Sequence, residues 1–209
     1  MIFVLIILYA ITLIYFVLSE RVAKFIVLLS IQGFLLFFIA LNNLIHIQLF
    51  GLVLILLETI GVKAIAIPWF LTKIRKTNKL NRVHESAVPV FYSIIIITLL
   101  LVSSFLVSNI FHCRTIQIKF LSVALASVFG GIYFIIIHKN IFSHLVGYLI
   151  IENGIFLLSL AVGNEMPFMV SLAVLLDVLI GILVIGIFLN KVGDTFSDIS
   201  VNSLSKLKD

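Results

Sequence analysis

Seven apolar runs of 18 to 23 residues, set apart by short polar breaks, govern what this chain can fold into: 1–18, 22–41, 49–71, 90–111, 120–137, 141–163 and 168–190. About 20 apolar residues carry a helix across the hydrocarbon of a bilayer, where a helix satisfies its own backbone hydrogen bonds. The expected fold is therefore all-α, a polytopic membrane protein of about seven transmembrane helices. The breaks carry turn or charge signals: Ser19-Glu20-Arg21, Asn42-Asn43, the basic stretch from Lys73 to Arg82, His112-Cys113-Arg114, His138-Lys139-Asn140 and Asn164 to Pro167. Pro167 suits the first turn of the last helix.

A chain of 209 residues that is 63% hydrophobic and 11% charged, with mean hydropathy +1.33, leaves no room for a separate soluble domain. Residues 1–190 read as one membrane domain and 191–209 as a polar tail. The first run has no basic residues before it and no small-residue cleavage pattern after it, so it reads as a span rather than a secretory signal. A single cysteine, Cys113, excludes an internal disulfide and, with no Cys-x-x-Cys pair, any iron–sulfur or structural zinc site held by this chain alone. Cofactors bound by the chain itself are expected to be none.

Basic residues sort by side. Arg21, Lys24, Lys73, Arg75, Lys76, Lys79, Arg82, Lys139, Lys191, Lys206 and Lys208 fall on one face of the expected topology, and Arg114 and Lys119 on the other. Eleven against two sets the amino terminus outside and the tail in the cytoplasm by the positive-inside rule. The formal charge of +5 belongs to these loops, so it points to orientation in the lipid bilayer and not to nucleic acid. Ser122, Ala126 and Gly130 form a small-residue stripe on the fifth helix, suited to close helix approach or to ordinary packing.

Four ionisable residues fall near span centres: Glu58 and Lys63 on the third helix, Glu152 on the sixth and Asp177 on the seventh. Each costs about 2.5–3.5 kcal/mol at the centre of an inserted helix, so they are expected to face protein and be paired, neutralised or hydrated. Glu58 and Lys63, five residues apart, would stand about 140° apart on an α-helix and make a poor pair, which sends their partners elsewhere. Pro68 suggests a kink whose freed carbonyl would line a polar cavity. His144, Tyr148 and Glu152, at i, i+4 and i+8, are expected to line one helix face as a proton entry path from the cytoplasmic end. The alternative for these acids is interhelical hydrogen bonding that only fixes packing, and for Lys63 and Glu58 a structural ion pair. His46, His84, His112 and His138 read as interfacial or solvated.

The segment HKNIFSHLVGYLIIENGIFLLSLAVGNEMP, followed by LLDVLIGILVIGIFLNKV and the tail SVNSLSKLK, resembles the membrane subunit known as hydrogenase-4 component E. The likeness extends upstream to the surroundings of Lys63 and Pro68. Residues 120–190 are also similar to the three-helix K subunit of respiratory complex I and the C subunit of multisubunit cation/proton antiporters. The resemblance implies a non-redox subunit of a membrane-bound nickel–iron hydrogenase or formate hydrogenlyase-type complex in a bacterial cytoplasmic membrane. The nickel–iron centre and iron–sulfur clusters would sit on partner subunits, and antiporter-like membrane subunits would pack alongside. It further implies that Glu152 and Asp177 belong to a proton-translocating axis. Asp177, followed by Ile180-Gly181, matches the second carboxylate of that family, whereas the first stands in complex I where this chain has Leu149, three residues before Glu152. The rival readings are a cation/proton antiporter component and a purely structural anchor.

Overall fold

A computed structural model describes residues 2–43, 58–77, 88–110 and 117–162. Apart from short breaks these residues are helical, with no strand among them. The elements are α1 (Ile2–Leu18), α2 (Val22–Asn43), a π-helix π1 (Glu58–Ala66) that runs into α3 (Ile67–Thr77), α4 (Val90–Ile110), α5 (Ile118–Ile137) and α6 (Ile141–Val162). Four of them, α2, α4, α5 and α6, are long and apolar enough to cross a membrane, and α1 is a shorter apolar helix of 17 residues. The expected seventh run, 168–190, lies outside the described residues.

Helix ends fall where the polar breaks are. Ser19 closes α1 by donating its hydroxyl to the Tyr15 carbonyl at 2.8 Å. Asn140 opens α6, its Oδ1 accepting the Phe142 amide at 3.2 Å in place of the missing helical partner. The third helix departs from expectation at its end: it continues past Leu71 to Thr77 and carries Lys73, Arg75 and Lys76 in its last turns. Cations there face the negative end of the helix dipole, so charge that breaks an apolar run does not break the helix.

The tightest packing joins α5 to α6, antiparallel across the short turn 138–140. The Gln117 amide, just before α5, donates to the Ala161 carbonyl near the end of α6 at 2.9 Å. Between those ends the backbones meet at glycines. A Cβ on Gly131 would lie 2.8 Å from the Gly147 carbonyl oxygen, and one on Gly154 would lie 3.0 Å from the Val128 amide nitrogen. The close approach thus uses Gly131, one residue beyond the Ser122/Ala126/Gly130 stripe, whose Gly130 instead meets Ile97 of α4.

Two contacts fix the ends of the bundle. Phe16 of α1, Phe25 of α2 and Phe134 of α5 form an aromatic cluster with ring centroids 5.2–6.2 Å apart, and His138 stacks on it 4.2 Å from Phe134. At the other end Lys119 lies 4.1 Å over the ring of Phe3. Arg21, Lys24 and Lys139 flank the aromatic end and Lys119 the opposite one.

Candidate functional site

Midway between these ends the bundle is polar. Thr12, Gln32, Ser127, Glu152 and Asn153, all buried, fall near the middles of α1, α2, α5 and α6, and Lys63 joins them from π1. A polar side chain in an apolar medium is costly unless paired, so the partners define the site.

Lys63 and Glu152 are that pair. Nζ stands 2.5 Å from Oε1, and the side chains are 3% and 4% exposed. The ammonium also lies 4.6 Å from the centroid of the Phe156 ring, one turn further along α6, whose face attracts a cation. Either charge buried alone would cost several kcal/mol, and their mutual attraction, strengthened by the low dielectric, offsets part of that cost.

Beside the ion pair runs a chain of hydrogen bonds whose directions are forced. Thr12 has one hydroxyl proton and gives it to the Tyr9 carbonyl at 2.6 Å, an atom that only accepts. Gln32 must therefore present its NH₂ to Thr12 Oγ1, at 2.9 Å, which turns its Oε1 toward Asn153. Asn153 in turn donates through Nδ2 at 3.0 Å. By the same logic Ser127 donates to the Ile150 carbonyl at 2.9 Å, so the Tyr9 hydroxyl donates to Ser127 Oγ at 3.0 Å. Neutral carboxamides do not exchange protons in the way carboxylates and amines do. The Asn153–Gln32–Thr12 branch therefore fixes geometry, and Lys63 with Glu152 can carry charge chemistry.

Of the six residues singled out from sequence, the structure brings Lys63 and Glu152 together. Asp177 and the side chain of Glu58 lie outside what is described. The expectation that Glu58 and Lys63 stand 140° apart presumed an α-helix. The segment is π-helical, bonded i to i+5, so that rotation does not apply. The Ala64 carbonyl, four residues before Pro68, accepts the Ser30 hydroxyl at 2.8 Å.

The row expected from His144, Tyr148 and Glu152 passes from the surface to the interior. His144 is exposed, and its Nε2–H donates to the His138 carbonyl at 2.6 Å. Tyr148 is 36% exposed, while Glu152 is buried. A row at i, i+4, i+8 drifts by about 40° per step around an α-helix. Two steps carry it from the outer face into the interior.

His138 also departs from expectation. It is buried rather than solvated, with Nδ1–H donating to Phe134 O at 2.9 Å. Burial holds its imidazole below the ordinary histidine range; the bond to Phe134 opposes this, and nearby His144 adds to it. Sequence reading missed Tyr9, Thr12, Gln32 and Ser127. The available signals were the single glutamine in the middle of the second run and the i, i+3 spacing of Tyr9 and Thr12 in the first.

Among the described residues no group of three or more His, Cys, Asp or Glu side chains could hold a metal ion. No protein-family model, curated protein or solved structure matches the chain.

Proposed function

We propose that this chain is a non-redox membrane subunit in which the Lys63–Glu152 pair belongs to a proton-translocation pathway coupled to electron transfer in neighbouring subunits. The observation that carries the reading is a buried ion pair at the middle of a helix bundle, contributed by two separate helices. Intramembrane ionisable residues are expensive and by default mark ion or proton pathways. Redox turnover next door would act electrostatically: a change of charge or a small displacement of π1 alters the attraction between Lys63 and Glu152, and with it the carboxylate's hold on a proton. On this reading Glu58, Asp177, His144 and Tyr148 extend the pathway. The amino terminus is outside, the tail is cytoplasmic, and the membrane is a bacterial inner membrane. The resemblance of 138–192 to hydrogenase-4 component E supplies the partner class, a nickel–iron hydrogenase with iron–sulfur and antiporter-like subunits.

The test is a gentle-detergent purification of the tagged protein from its native membrane, with mass spectrometry of what co-elutes and a hydrogen-dependent dye-reduction assay. Co-elution of hydrogenase and iron–sulfur subunits with activity is expected, together with loss of coupled proton movement in vesicles bearing Glu152→Gln. Antiporter-type proteins alone, with no hydrogen-dependent reduction, would replace the hydrogenase reading by that of a cation/proton exchanger.

A second reading has its own support. The hydrogen-bond chain from Asn153 to Tyr9 ties α6 to α2 and α1 with groups that do not carry protons, as a structural anchor would require. That reading predicts that Glu152→Gln lowers assembly while assembled complexes keep normal proton movement.

A further inference from the structure

Among the described residues, Lys63 sits in the only stretch of backbone wound as a π-helix. Such winding is rare and needs support from outside the segment. Pro68 has no N–H, so the Ala64 carbonyl four residues earlier cannot find its α-helical donor there. Ser30 of α2 donates its hydroxyl to that carbonyl at 2.8 Å. Three residues along α2, on the same face, Gly33 lets the two backbones touch: a Cβ there would lie 2.8 Å from Ala64 N, 2.9 Å from Ala64 Cα and 2.9 Å from the Lys63 carbonyl carbon. Ser30 and Gly33 together grip the Lys63–Ala64 peptide.

We propose that Ser30 is a positioning residue for the ion pair, its hydroxyl holding the Ala64 carbonyl, which Pro68 leaves without an α-helical donor, and so fixing the winding of π1 at which Lys63 meets Glu152. The geometry makes the pair sensitive to that winding. An α-helical residue turns by about 100° and a π-helical residue, bonded i to i+5, by less, so a change of winding rotates Lys63 about the helix axis. The Lys63 ammonium is held between two groups of α6, the Glu152 carboxylate and the Phe156 ring, and loses both on such a turn. The functional weight of this role rests on the proton-pathway reading above, but its geometry does not.

The experiment is infrared spectroscopy of the full-length protein in lipid nanodiscs. The carboxyl bands of Glu152 are identified as those lost in Glu152→Gln, and Lys63→Met supplies their position without the lysine. Ser30→Ala is expected to move these bands to the Lys63→Met position, and Ser30→Thr, which keeps the hydroxyl, to leave them in place. Unmoved bands in Ser30→Ala overturn the proposal. So does a Ser30→Thr variant whose bands or folding fail as those of Ser30→Ala do. If the bands move but Glu152→Gln leaves proton movement intact, the positioning role stands and the proton reading fails. If they do not move while Glu152→Gln abolishes proton movement, the reverse holds.

Discussion

Helices α4 and α6 offer apolar spans of equal length, 21 residues, yet 17% of one is buried and 67% of the other. The more apolar of the two is the less buried. α6 carries Gly147, Gly154, Glu152 and Asn153, and each meets a neighbour: two glycines against α5, a lysine from π1 and a glutamine from α2. α4 turns Ser93, Ser104 and Ser108 inward and leaves Phe91, Leu99, Phe105, Leu106 and Ile110 exposed. Ser93 accepts a hydrogen bond from Tyr133 of α5 at 2.9 Å. In lipid, where the surroundings are as apolar as leucine, burial follows the small and polar residues that allow contact and not the hydrophobic ones.

The largest test of this contrast is the ion pair. Lys63→Met should destabilise the bundle by about 3–5 kcal/mol in mixed-micelle unfolding, because it leaves a buried carboxylate uncompensated, whereas Lys63→Met with Glu152→Met should recover most of that loss. A double variant as unstable as the single would mean that the pair itself holds α6 to π1. Gly147→Val should cost about 1–3 kcal/mol, since its added atoms run into Ile135 and the Gly131 backbone. Leu99→Ala on the exposed face of α4 should stay within about 0.5 kcal/mol. Equal effects at these two positions would erase the distinction between the helices.

Asn153→Ala comes next, at about 1 kcal/mol, the scale of an interhelical hydrogen bond in a membrane protein. Its effect should largely vanish in a Gln32→Leu background, measured as a double-mutant cycle. The smallest effect is at the turn between α5 and α6. His138 is held below its ordinary range, so the unfolded chain takes up a proton that the folded turn resists. The turn's stability is then complete above about pH 6.5 and declines as pH falls through that value toward the folded-state pKa. The protection of the amides from His138 to His144 against hydrogen exchange, taken relative to the intrinsic rate at each pH, should fall on acidification in the native protein and lose that dependence in His138→Phe.

Much of this was legible in the residues. Helices α1, α2, α4, α5 and α6 begin and end within a few residues of the apolar runs, and α3 continues through its basic turns. Lys63 and Glu152 stood out because an ionisable group in an apolar run is expensive wherever it points. What a run of letters does not carry is which side of a helix faces which neighbour. The row His144, Tyr148, Glu152 looked like one face because four residues are nearly one turn, and the small angular remainder was enough to divide it between the surface and the interior.

The sequence by itself determined that the chain is helical, that its spans are apolar and that a few polar groups would have to find partners inside protein. Those properties follow from local chemistry, the transfer cost of each side chain and the backbone's need for hydrogen bonds. Only the tertiary structure decided that Lys63 meets Glu152, that Gln32 joins Thr12 to Asn153, and that π1 departs from α-helical winding. Each of these depends on contacts between residues far apart in the chain, as at Gly33, where the missing side chain of one helix sets how closely another can approach.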